Sequence, residues 1–293
     1  MELSFENAVL AVDSGGSRCR VAVSDGQNRI LVETGPANVS TNLEEAAQRI
    51  TEGLDALAAR IGVPADRLAA RPAYLALAGV LGPEDAEAIR PLLPFRGAKI
   101  EDDRRAAIAG ALGATEQGAV VHCGTGSFFG VRTADRTRLV GGWGHRLGDE
   151  ASAYWLVRKA LGATLEAEDG LLPGTALTRR LRDRLGGPRA IVGFSQRADP
   201  KSFGALAPEI TTAAEDGDPL ARRIMKEGAT HIQRTLKAVG WRCGDRLCLT
   251  GGVGPHYARY LPSAARDGLA APEGAPIDGA LAFARSMARE RAT

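Results

Sequence analysis

The sequence Ala8-Val9-Leu10-Ala11-Val12-Asp13-Ser14-Gly15-Gly16-Ser17-Arg18 joins an unbroken apolar run to a glycine-rich turn. A short apolar run bounded by turn residues is typical of a buried strand. Two further strands are predicted at Arg20–Ser24 and Ile30–Glu33, with the tight turn Asp25-Gly26 between them. The chain therefore begins with antiparallel hairpins and not with a strand–helix–strand unit.

The same pattern returns in the second half of the chain. Ala119–His122 is an apolar strand followed, after Cys123, by Gly124-Thr125-Gly126-Ser127, and two more strands are predicted at Phe128–Arg132 and Arg138–Gly141. The similarity is architectural and is not a residue-by-residue repeat. Two strand–turn–strand units in one chain predict two related lobes that face each other.

Other segments carry clear periodicity and end signals. Asn42 and Glu45 resemble a capping box for a helix over Leu43–Ile61. Further helices are predicted from Pro83 onward and at Ala106–Leu112, Asp149–Leu161, Thr175–Leu185, Pro219–Val239 and about Asp278–Arg289. Further strands are predicted at Tyr74–Ala78, Lys99–Glu101 and Leu247–Thr250. Loops are predicted at Gly193–Pro200 and Pro262–Pro276.

Composition and length limit the class of protein. The 293 residues suit two lobes, and 44% hydrophobic with 25% charged residues is ordinary for a soluble globular protein. A net charge of +2 predicts neither a nucleic-acid nor a membrane partner. Four cysteines without a Cys-x-x-Cys pair predict free thiols in a reducing compartment. An acidic start without a signal peptide, and no apolar run long enough for a membrane, predict a cytoplasmic protein.

The two glycine turns have the chemistry of phosphate binding. Glycines between strands expose consecutive backbone N–H groups to an anion, and the hydroxyls of Ser14 and Ser17 can donate as well. Asp13 at a strand end could hold Mg²⁺ directly or through water. Neither turn is a Walker loop or a Rossmann fingerprint, and an ordinary hairpin turn remains the alternative for each. Two turns in equivalent positions favour phosphate binding, because a triphosphate needs donors from both sides.

A third glycine turn, Thr250-Gly251-Gly252-Val253-Gly254, follows the strand Leu247–Thr250. Its glycines would allow the backbone to approach a flat ligand such as adenine or ribose. Close packing of a helix on a strand is the alternative explanation.

Carboxylates mark two further sites. Asp102-Asp103 stands between a strand and a helix, so one carboxylate could accept the proton of an attacking hydroxyl; we assign this role to Asp103, and Asp102 could cap the helix. Gly141–Glu150 concentrates glycines, Trp143, His145 and two acids. Carboxylates suit recognition of sugar hydroxyls. Asp149 and Glu150 could also be first-turn acids of a helix, Trp143 part of the core, and His145 a structural histidine.

Taken together, these stretches resemble the N-acetylglucosamine/glucosamine kinase branch of the BadF/BadG/BcrA/BcrD-type ATPase family, in the sugar kinase/Hsp70/actin superfamily. The resemblance rests on Asp13–Arg18, Gly35-Pro-Ala-Asn38, Leu77-Ala-Gly79, Asp102-Asp103, Gly124–Ser127, Gly141–Trp155 and Thr250–Val253, which occur in family order over most of the chain. The Gly-Trp-Gly, Gly-Asp-Glu and Tyr-Trp elements within Gly141–Trp155 are specific to this branch.

The resemblance implies an α/β protein with the two-lobed ribonuclease H-like/actin-like ATPase fold and a ligand cleft between the lobes. Residues 1–112, joined by a C-terminal helix over 278–293, would form the N-terminal lobe, and residues 113–277 the C-terminal lobe. ATP and Mg²⁺ would be the cofactors and an amino sugar the substrate, phosphorylated on its 6-hydroxyl. Asp103 would be the general base and Asp13 would hold Mg²⁺ through water. The first phosphate loop would comprise Asp13, Ser14, Gly15, Gly16, Ser17 and Arg18, and the second would comprise Gly124, Thr125, Gly126 and Ser127. The adenosine site would include Gly251, Gly252 and Val253. The sugar site would be lined by Asn38, Gly144, Asp103 and Asp149.

Several positions depart from the family pattern. Ser14 and Ala151 stand where glycine is common, and Cys123 stands where a small or aliphatic residue is usual. Arg104 and Arg105 follow Asp103 in place of small or apolar residues, and they could lower the pKa of Asp103 or point to solvent.

Other functions remain open from the sequence. An ATPase activator of a CoA-linked dehydratase belongs to the same broad family, but it needs paired cysteines for an iron–sulfur cluster. A sugar sensor would add a DNA-binding extension. Among kinases, glucosamine, N-acetylglucosamine and N-acetylmuramate are not distinguished, and a homodimer is expected only by analogy with relatives.

Overall fold

A computed structural model describes residues 3–113 and 117–291. The chain divides into two compact units, one formed by residues 3–113 with 272–291 and the other by residues 117–271. The strands are β1 Val9–Ser14, β2 Cys19–Ser24, β3 Arg29–Thr34, β4 Ala73–Leu77, β5 Lys99–Asp102, β6 Gly118–Cys123, β7 Ser127–Arg132, β8 Thr137–Gly141 and β9 Leu247–Thr250.

The α-helices are α1 Leu43–Ile61, α2 Ala65–Ala69, α3 Pro83–Ile89, α4 Asp103–Leu112, α5 Ala153–Glu168, α6 Ala176–Leu185, α7 Pro188–Arg197, α8 Pro200–Gly204, α9 Ala207–Glu215, α10 Pro219–Ala238, α11 Ser263–Arg266 and α12 Pro276–Glu290. Short 3-10 helices occupy Phe5–Asn7, Arg90–Leu92 and Gly254–Tyr260. Among the described residues, none of these helices has both the length and the apolar composition needed to cross a membrane.

The first unit is built on a five-stranded sheet in the order β3-β2-β1-β4-β5. β1 pairs antiparallel with β2 and parallel with β4, so the chain begins with the predicted hairpins. Alternate residues of β1 enter different cores: Leu10 and Val12 pack in the cluster that contains Ile50 and Leu54 of α1, and Ala11 packs in the cluster of α12 residues. Helices thus cover both faces of the sheet, which explains why β1 is an unbroken apolar run.

Helices α4 and α12 pack closely against each other at two glycines. A Cβ on Gly110 would lie 2.1 Å from the carbonyl oxygen of Ala275, and a Cβ on Gly279 would lie 2.0 Å from that of Ala106. No side chain fits at either distance, so both positions require glycine. This contact fixes α4, whose N-terminus carries Asp103.

The second unit has a four-stranded sheet in the order β8-β7-β6-β9, with β6 antiparallel to β7 and parallel to β9. This order repeats that of β3, β2, β1 and β4. A parallel bridge between Leu247 and Leu269 lies beside β9, at the position that β5 has in the first sheet. The repeated topology confirms the predicted α/β fold with two related units. The ligand cleft between lobes stays a prediction.

Three predictions about elements were wrong or incomplete. Helix α5 begins at Ala153 and not at Asp149, because Asp149 and Ala151 have left-handed backbone conformations with φ of 63° and 68°, and the hydroxyl of Ser152 caps the helix. The predicted loop Gly193–Pro200 instead contains the second half of α7, a helix with a proline in its first turn, and the first residue of α8. The predicted connection 262–276 includes the short helix α11.

Candidate functional site

The first glycine turn joins β1 to β2 at the carboxyl end of β1. The Gly15 N–H donates to the carbonyl of Arg18 at 2.9 Å, and the Gly15 carbonyl accepts the N–H of Ala37 at 3.1 Å. Gly16 has an ordinary φ, and a Cβ there would meet nothing within 4 Å. The protein itself therefore does not require glycine at position 16, and the open space above the turn is available to a ligand.

The two residues before this turn have different surroundings. Ser14 is fully buried, and its hydroxyl oxygen accepts the N–H of Ala78 at 3.3 Å. The expected donation from this hydroxyl to a phosphate is therefore not supported, because the side chain lies in the interior and joins β1 to the end of β4. Asp13 is partly exposed and accepts a hydrogen bond from Arg20 at 3.4 Å. Burial raises the pKa of Asp13, and Arg20 opposes this rise.

Asp102 and Asp103 lie at the same edge of the sheet as Asp13, because β1, β4 and β5 run parallel. Asp102 caps α4: its carboxylate accepts the Arg104 N–H at 2.9 Å and also pairs with the Arg104 guanidinium. Asp103 is the first residue of α4 and is partly buried. The capping role suggested for one member of the pair thus belongs to Asp102.

Burial, together with the neighbouring charges of Asp102 and Asp13, raises the pKa of Asp103 to about 8. Arg104 lowers this pKa only slightly, since its guanidinium is bound to Asp102. Arg105 is half-exposed and lies 3.6 Å from Glu101. Arg104 thus lowers the pKa of Asp103 as expected, but burial and the neighbouring carboxylates outweigh it. A carboxyl that takes up a proton near neutral pH is suited to general base catalysis.

The raised pKa predicts how stability depends on pH. The ordinary aspartate pKa is 3.8, and that of folded Asp103 is about 8, so between these values the folded protein holds a proton that the unfolded chain has lost. The free energy of unfolding should therefore fall as the pH rises through this window. Asp103→Asn removes this loss, so at pH 8.5 we expect the variant to be more stable than the unmodified protein by about 1–2 kcal/mol. Urea unfolding at pH 4 and pH 8.5 measures the difference, and an equal difference at both values would contradict the raised pKa.

Asn38 lies beside Gly79, near the end of β4. Its side-chain oxygen accepts hydrogen bonds from the Ser40 N–H at 3.0 Å and the Ser40 hydroxyl at 2.8 Å. Gly79 has φ of 86°, and a Cβ there would lie 2.5 Å from the Asn38 oxygen. Because the oxygen is held in this way, the amide NH₂ of Asn38 is the group oriented for donation to a ligand.

In the second unit, the turn Gly124–Ser127 is held against the start of α5. The Gly124 N–H donates to the Gly126 carbonyl at 2.9 Å, and the Gly124 carbonyl accepts the N–H of Ala153 at 2.8 Å. The Ser127 hydroxyl donates to the carbonyl of Glu150 at 2.7 Å. These contacts fix the backbone of the second glycine turn.

Asp149 connects this turn to the Gly-Trp-Gly segment. It is 8% exposed, and its carboxylate accepts the backbone N–H groups of Ser127 and Gly144. A Cβ on Gly126 would lie 2.7 Å from a carboxylate oxygen of Asp149, so glycine is required there. Burial raises the pKa of Asp149, while these two hydrogen bonds and His145 lower it. The suggestion that Asp149 is a first-turn acid was wrong, since it precedes the helix and binds the turn.

The third glycine turn packs directly on the second. Gly251 has φ of 80°, and a Cβ there would lie 2.4 Å from the carbonyl of Cys123. The Val253 N–H donates to the same carbonyl oxygen at 2.9 Å. Gly252, by contrast, would place a Cβ in open space. Gly251 and Val253 therefore hold the two turns together, whereas Gly252 leaves room for a ligand.

The aromatic residues of Gly141–Glu150 are not in the core. Trp143 is 65% exposed and Leu147 is 86% exposed, which overturns the suggestion that Trp143 is a core residue. The ring of His145 lies 4.6 Å from that of Tyr154, measured between centroids. Gly144, with φ of 84°, lies between Trp143 and His145 in the chain, and its carbonyl accepts the N–H groups of Leu147 and Gly148.

His122 is the residue of this site that the sequence analysis missed. It lies at the end of β6, where its Nδ1 is 3.1 Å from the Thr250 hydroxyl oxygen. The only signal in the sequence was a histidine within an otherwise apolar strand, immediately before Cys123 and the glycine turn.

Comparisons with known proteins place these features in a family context. The model of the BadF/BadG/BcrA/BcrD ATPase family matches residues 10–270. The glucosamine kinase GspK of Vibrio cholerae serotype O1 is 29% identical over 286 residues, which cover 95% of this chain and 96% of that protein. The N-acetylmuramic acid/N-acetylglucosamine kinase of Clostridium acetobutylicum is 28% identical over 242 residues, 79% of this chain and 78% of that protein. The crystal structure of a candidate N-acetylglucosamine kinase from Chromobacterium violaceum aligns with a TM-score of 0.85 at 30% identity, covering 95% of this chain and 99% of that chain.

Proposed function

Because the chain belongs to the BadF/BadG/BcrA/BcrD ATPase family, we propose that it is an ATP-dependent amino-sugar kinase that phosphorylates the 6-hydroxyl of N-acetylglucosamine or glucosamine. The observation that carries the proposal is the placement of Asp103 beside Asp13, at the edge of the sheet where the first glycine turn lies. This arrangement provides a proton acceptor next to a turn suited to phosphate. The two compact units support the proposed lobes, residues 1–112 with 278–293 and residues 113–277, except that Gly113 and residues 272–277 belong to the first unit.

The glycine turns bind ATP in this proposal. Gly16, Ser17 and Arg18 offer donors to the phosphates after β1, and Thr125 and Gly126 do so after β6. Gly15, Gly124 and Ser127 instead hold the backbone of the two turns, since their N–H groups donate to Arg18, Gly126 and Asp149. Ser14 supports the first turn from the interior. Gly252 provides the open space for adenosine, and Gly251 and Val253 hold its turn in place.

Asp103 accepts the proton of the sugar hydroxyl as that oxygen attacks the γ-phosphorus. Its partner charges, Asp13 and Asp102, make the carboxylate more basic than an ordinary aspartate, which favours proton transfer from an alcohol. The Asn38 amide donates to a ring hydroxyl of the sugar. For the second unit, we propose Gly144 and Asp149 as sugar-binding residues. Exclusion of water from this site would prevent loss of ATP by hydrolysis.

The donor set at Asp13 fits magnesium that arrives with ATP. No group of three or more His, Cys, Asp or Glu side chains within residues 3–113 and 117–291 could hold a metal ion. Mg²⁺ usually needs only one or two protein carboxylates beside phosphate oxygens and water. Asp13 would hold the ion through water, and the ion would supply neutralisation of charge on the γ-phosphate.

The competing activator function finds no support in the cysteines. Cys19 and Cys123, which adjoin the two turns, are fully buried and cannot provide ligands for a cluster shared between two chains. All four cysteines are free, which agrees with the cytoplasmic location that we propose. We also propose a homodimer, for which the mass in solution by light scattering is the test.

A coupled assay of ADP release with ATP and Mg²⁺ tests the proposed function. We expect turnover with glucosamine, N-acetylglucosamine or N-acetylmuramate. For the preferred sugar, kcat/KM should be about 100-fold above that for glucose, because glucose leaves unpaired the polar groups that recognise the 2-substituent. ADP release that no sugar stimulates would contradict the kinase proposal. Mass spectrometry of the product, with the 6-deoxy sugar as a control, identifies the phosphorylated hydroxyl.

A further inference from the structure

His122 occupies a position in the second sheet that corresponds to Asp13 in the first. Ser14 pairs with Cys19 across the first glycine turn, and Cys123 pairs with Ser127 across the second. Asp13 in β1 and His122 in β6 therefore each stand one residue before the last paired residue of their strand. Since β1 and β6 have the same place in the two sheets, His122 lies at the edge where the second turn is formed.

The imidazole ring of His122 has a defined orientation. It stacks on Phe128 with 5.0 Å between ring centroids and 17° between planes. Nδ1 lies 3.1 Å from the hydroxyl oxygen of Thr250, the residue that precedes the third glycine turn. Nε2 lies 2.8 Å from the position that a Cβ on Gly124 would occupy, so this nitrogen is directed at the second turn.

A neutral ring beside the Thr250 hydroxyl is compatible with a tautomer that carries its hydrogen on Nε2. Burial lowers the pKa of His122 to about 4, so the ring is neutral at physiological pH, with one donor and one acceptor nitrogen. A threonine hydroxyl can donate to Nδ1, and this leaves Nε2 as the donor. The residues before His122 in β6, Val120 and Val121, are aliphatic. An aliphatic residue would also serve at position 122 if its contacts were purely apolar.

We propose that His122 is an ATP-binding residue whose Nε2–H, fixed by the Thr250 hydroxyl at Nδ1, donates to a phosphate oxygen at the turn Gly124–Ser127. This inference rests on the proposed function and adds an imidazole N–H to the donors that the turn itself offers. It also makes Thr250 a positioning residue that acts through His122.

Substitutions that mimic one nitrogen each test the inference. Asn places its amide near the position of Nδ1, and Gln reaches the position of Nε2. By calorimetry with a non-hydrolysable ATP analogue and Mg²⁺, we expect His122→Asn to raise Kd about tenfold or more, and His122→Gln to raise it about threefold or less. Thr250→Val should raise Kd about threefold, and the KM for the sugar should change little in all three variants.

His231→Asn is the matched control, since this histidine belongs to the same unit and its ring lies 5.6 Å from that of Phe129. Phe128, which stacks on His122, is the neighbouring residue of β7 and therefore points to the other face of the sheet. We expect the Kd of His231→Asn to stay unchanged. Nitrogen NMR of the unmodified protein gives a readout that does not depend on any variant, and we expect the Nε2–H tautomer with and without the analogue.

Equal affinities of the Asn and Gln variants, or an Nδ1–H tautomer in the analogue complex, would overturn the inference while the kinase proposal stands. Absence of analogue binding to the unmodified protein would overturn both. If His122→Asn does not fold, the tautomer and the Gln and Thr250→Val affinities still decide the question.

Discussion

Asp103→Asn will lower kcat for phosphoryl transfer by about 10²- to 10⁴-fold, because the variant has no group that accepts the proton of the attacking hydroxyl. The fold will be retained, since asparagine has nearly the shape of the protonated carboxyl that the raised pKa of Asp103 favours. The affinity for an ATP analogue should change little. Single-turnover kinetics with the preferred amino sugar and calorimetry with the analogue measure the two effects separately.

Asp85→Asn is a control for this substitution. Asp85 also lies in the first turn of a helix in the same unit, where its carboxylate accepts the N–H groups of Leu81 and Gly82. We expect this variant to lose about 1 kcal/mol of stability. Its activity should stay unchanged. Full turnover in Asp103→Asn would remove the general base from the proposed mechanism, whereas equal losses of turnover in both variants would indicate damage to the unit as a whole.

The pH dependence of the same reaction provides a further test of Asp103 as the general base. Because its pKa is raised to about 8, kcat/KM for the sugar should rise with pH up to about this value and then level off. Substitution of Asp102 by Asn removes one of the charges that raise the pKa, so the rise should move to lower pH.

Gly251→Ala will destabilise the protein by about 2–5 kcal/mol, the sum of left-handed backbone strain and overpacking. The added Cβ would lie 2.4 Å from the carbonyl of Cys123 and 2.7 Å from the Gly124 nitrogen, which are backbone atoms that cannot move aside independently. The third and second glycine turns would be forced apart, so ATP binding should be lost together with stability. Thermal unfolding and calorimetry measure both.

Gly252→Ala is the neighbouring control. A Cβ at this position meets nothing within 4 Å and the backbone has an ordinary φ, so stability should stay within about 0.5 kcal/mol of the unmodified protein. If adenosine approaches this glycine, Kd for the ATP analogue should nevertheless rise several-fold. An unchanged Kd in Gly252→Ala would place the adenosine elsewhere, and an unchanged melting temperature in Gly251→Ala would contradict the close contact between the turns.

Much of the fold was predictable because its signals are local. The apolar run before Asp13, the hairpin turn at Asp25-Gly26 and the cap at Asn42 each depend on residues within one element, and the structure confirms all three. The order of the motifs also identified the family before any contact was known.

The start of α5 was not predictable from the sequence. Acidic residues such as Asp149 and Glu150 favour the first turn of a helix, and their order alone indicates nothing else. In the folded unit, the Ser127 and Gly144 N–H groups bind the Asp149 carboxylate, and its backbone adopts a left-handed conformation. These partners are distant in sequence from the helix or lie outside it, so local propensity was overridden.

The sequence by itself determined the strands and the glycine turns, and it supplied the acids that we propose as site residues, because these follow from local patterns of apolar residues, glycines and acids. Only the tertiary structure decided their surroundings. It buried the Ser14 hydroxyl, placed Asp13 close enough to raise the pKa of Asp103, and directed His122 at Gly124. Burial and electrostatic interactions depend on atoms that the fold brings together from distant parts of the chain, and no local pattern records them.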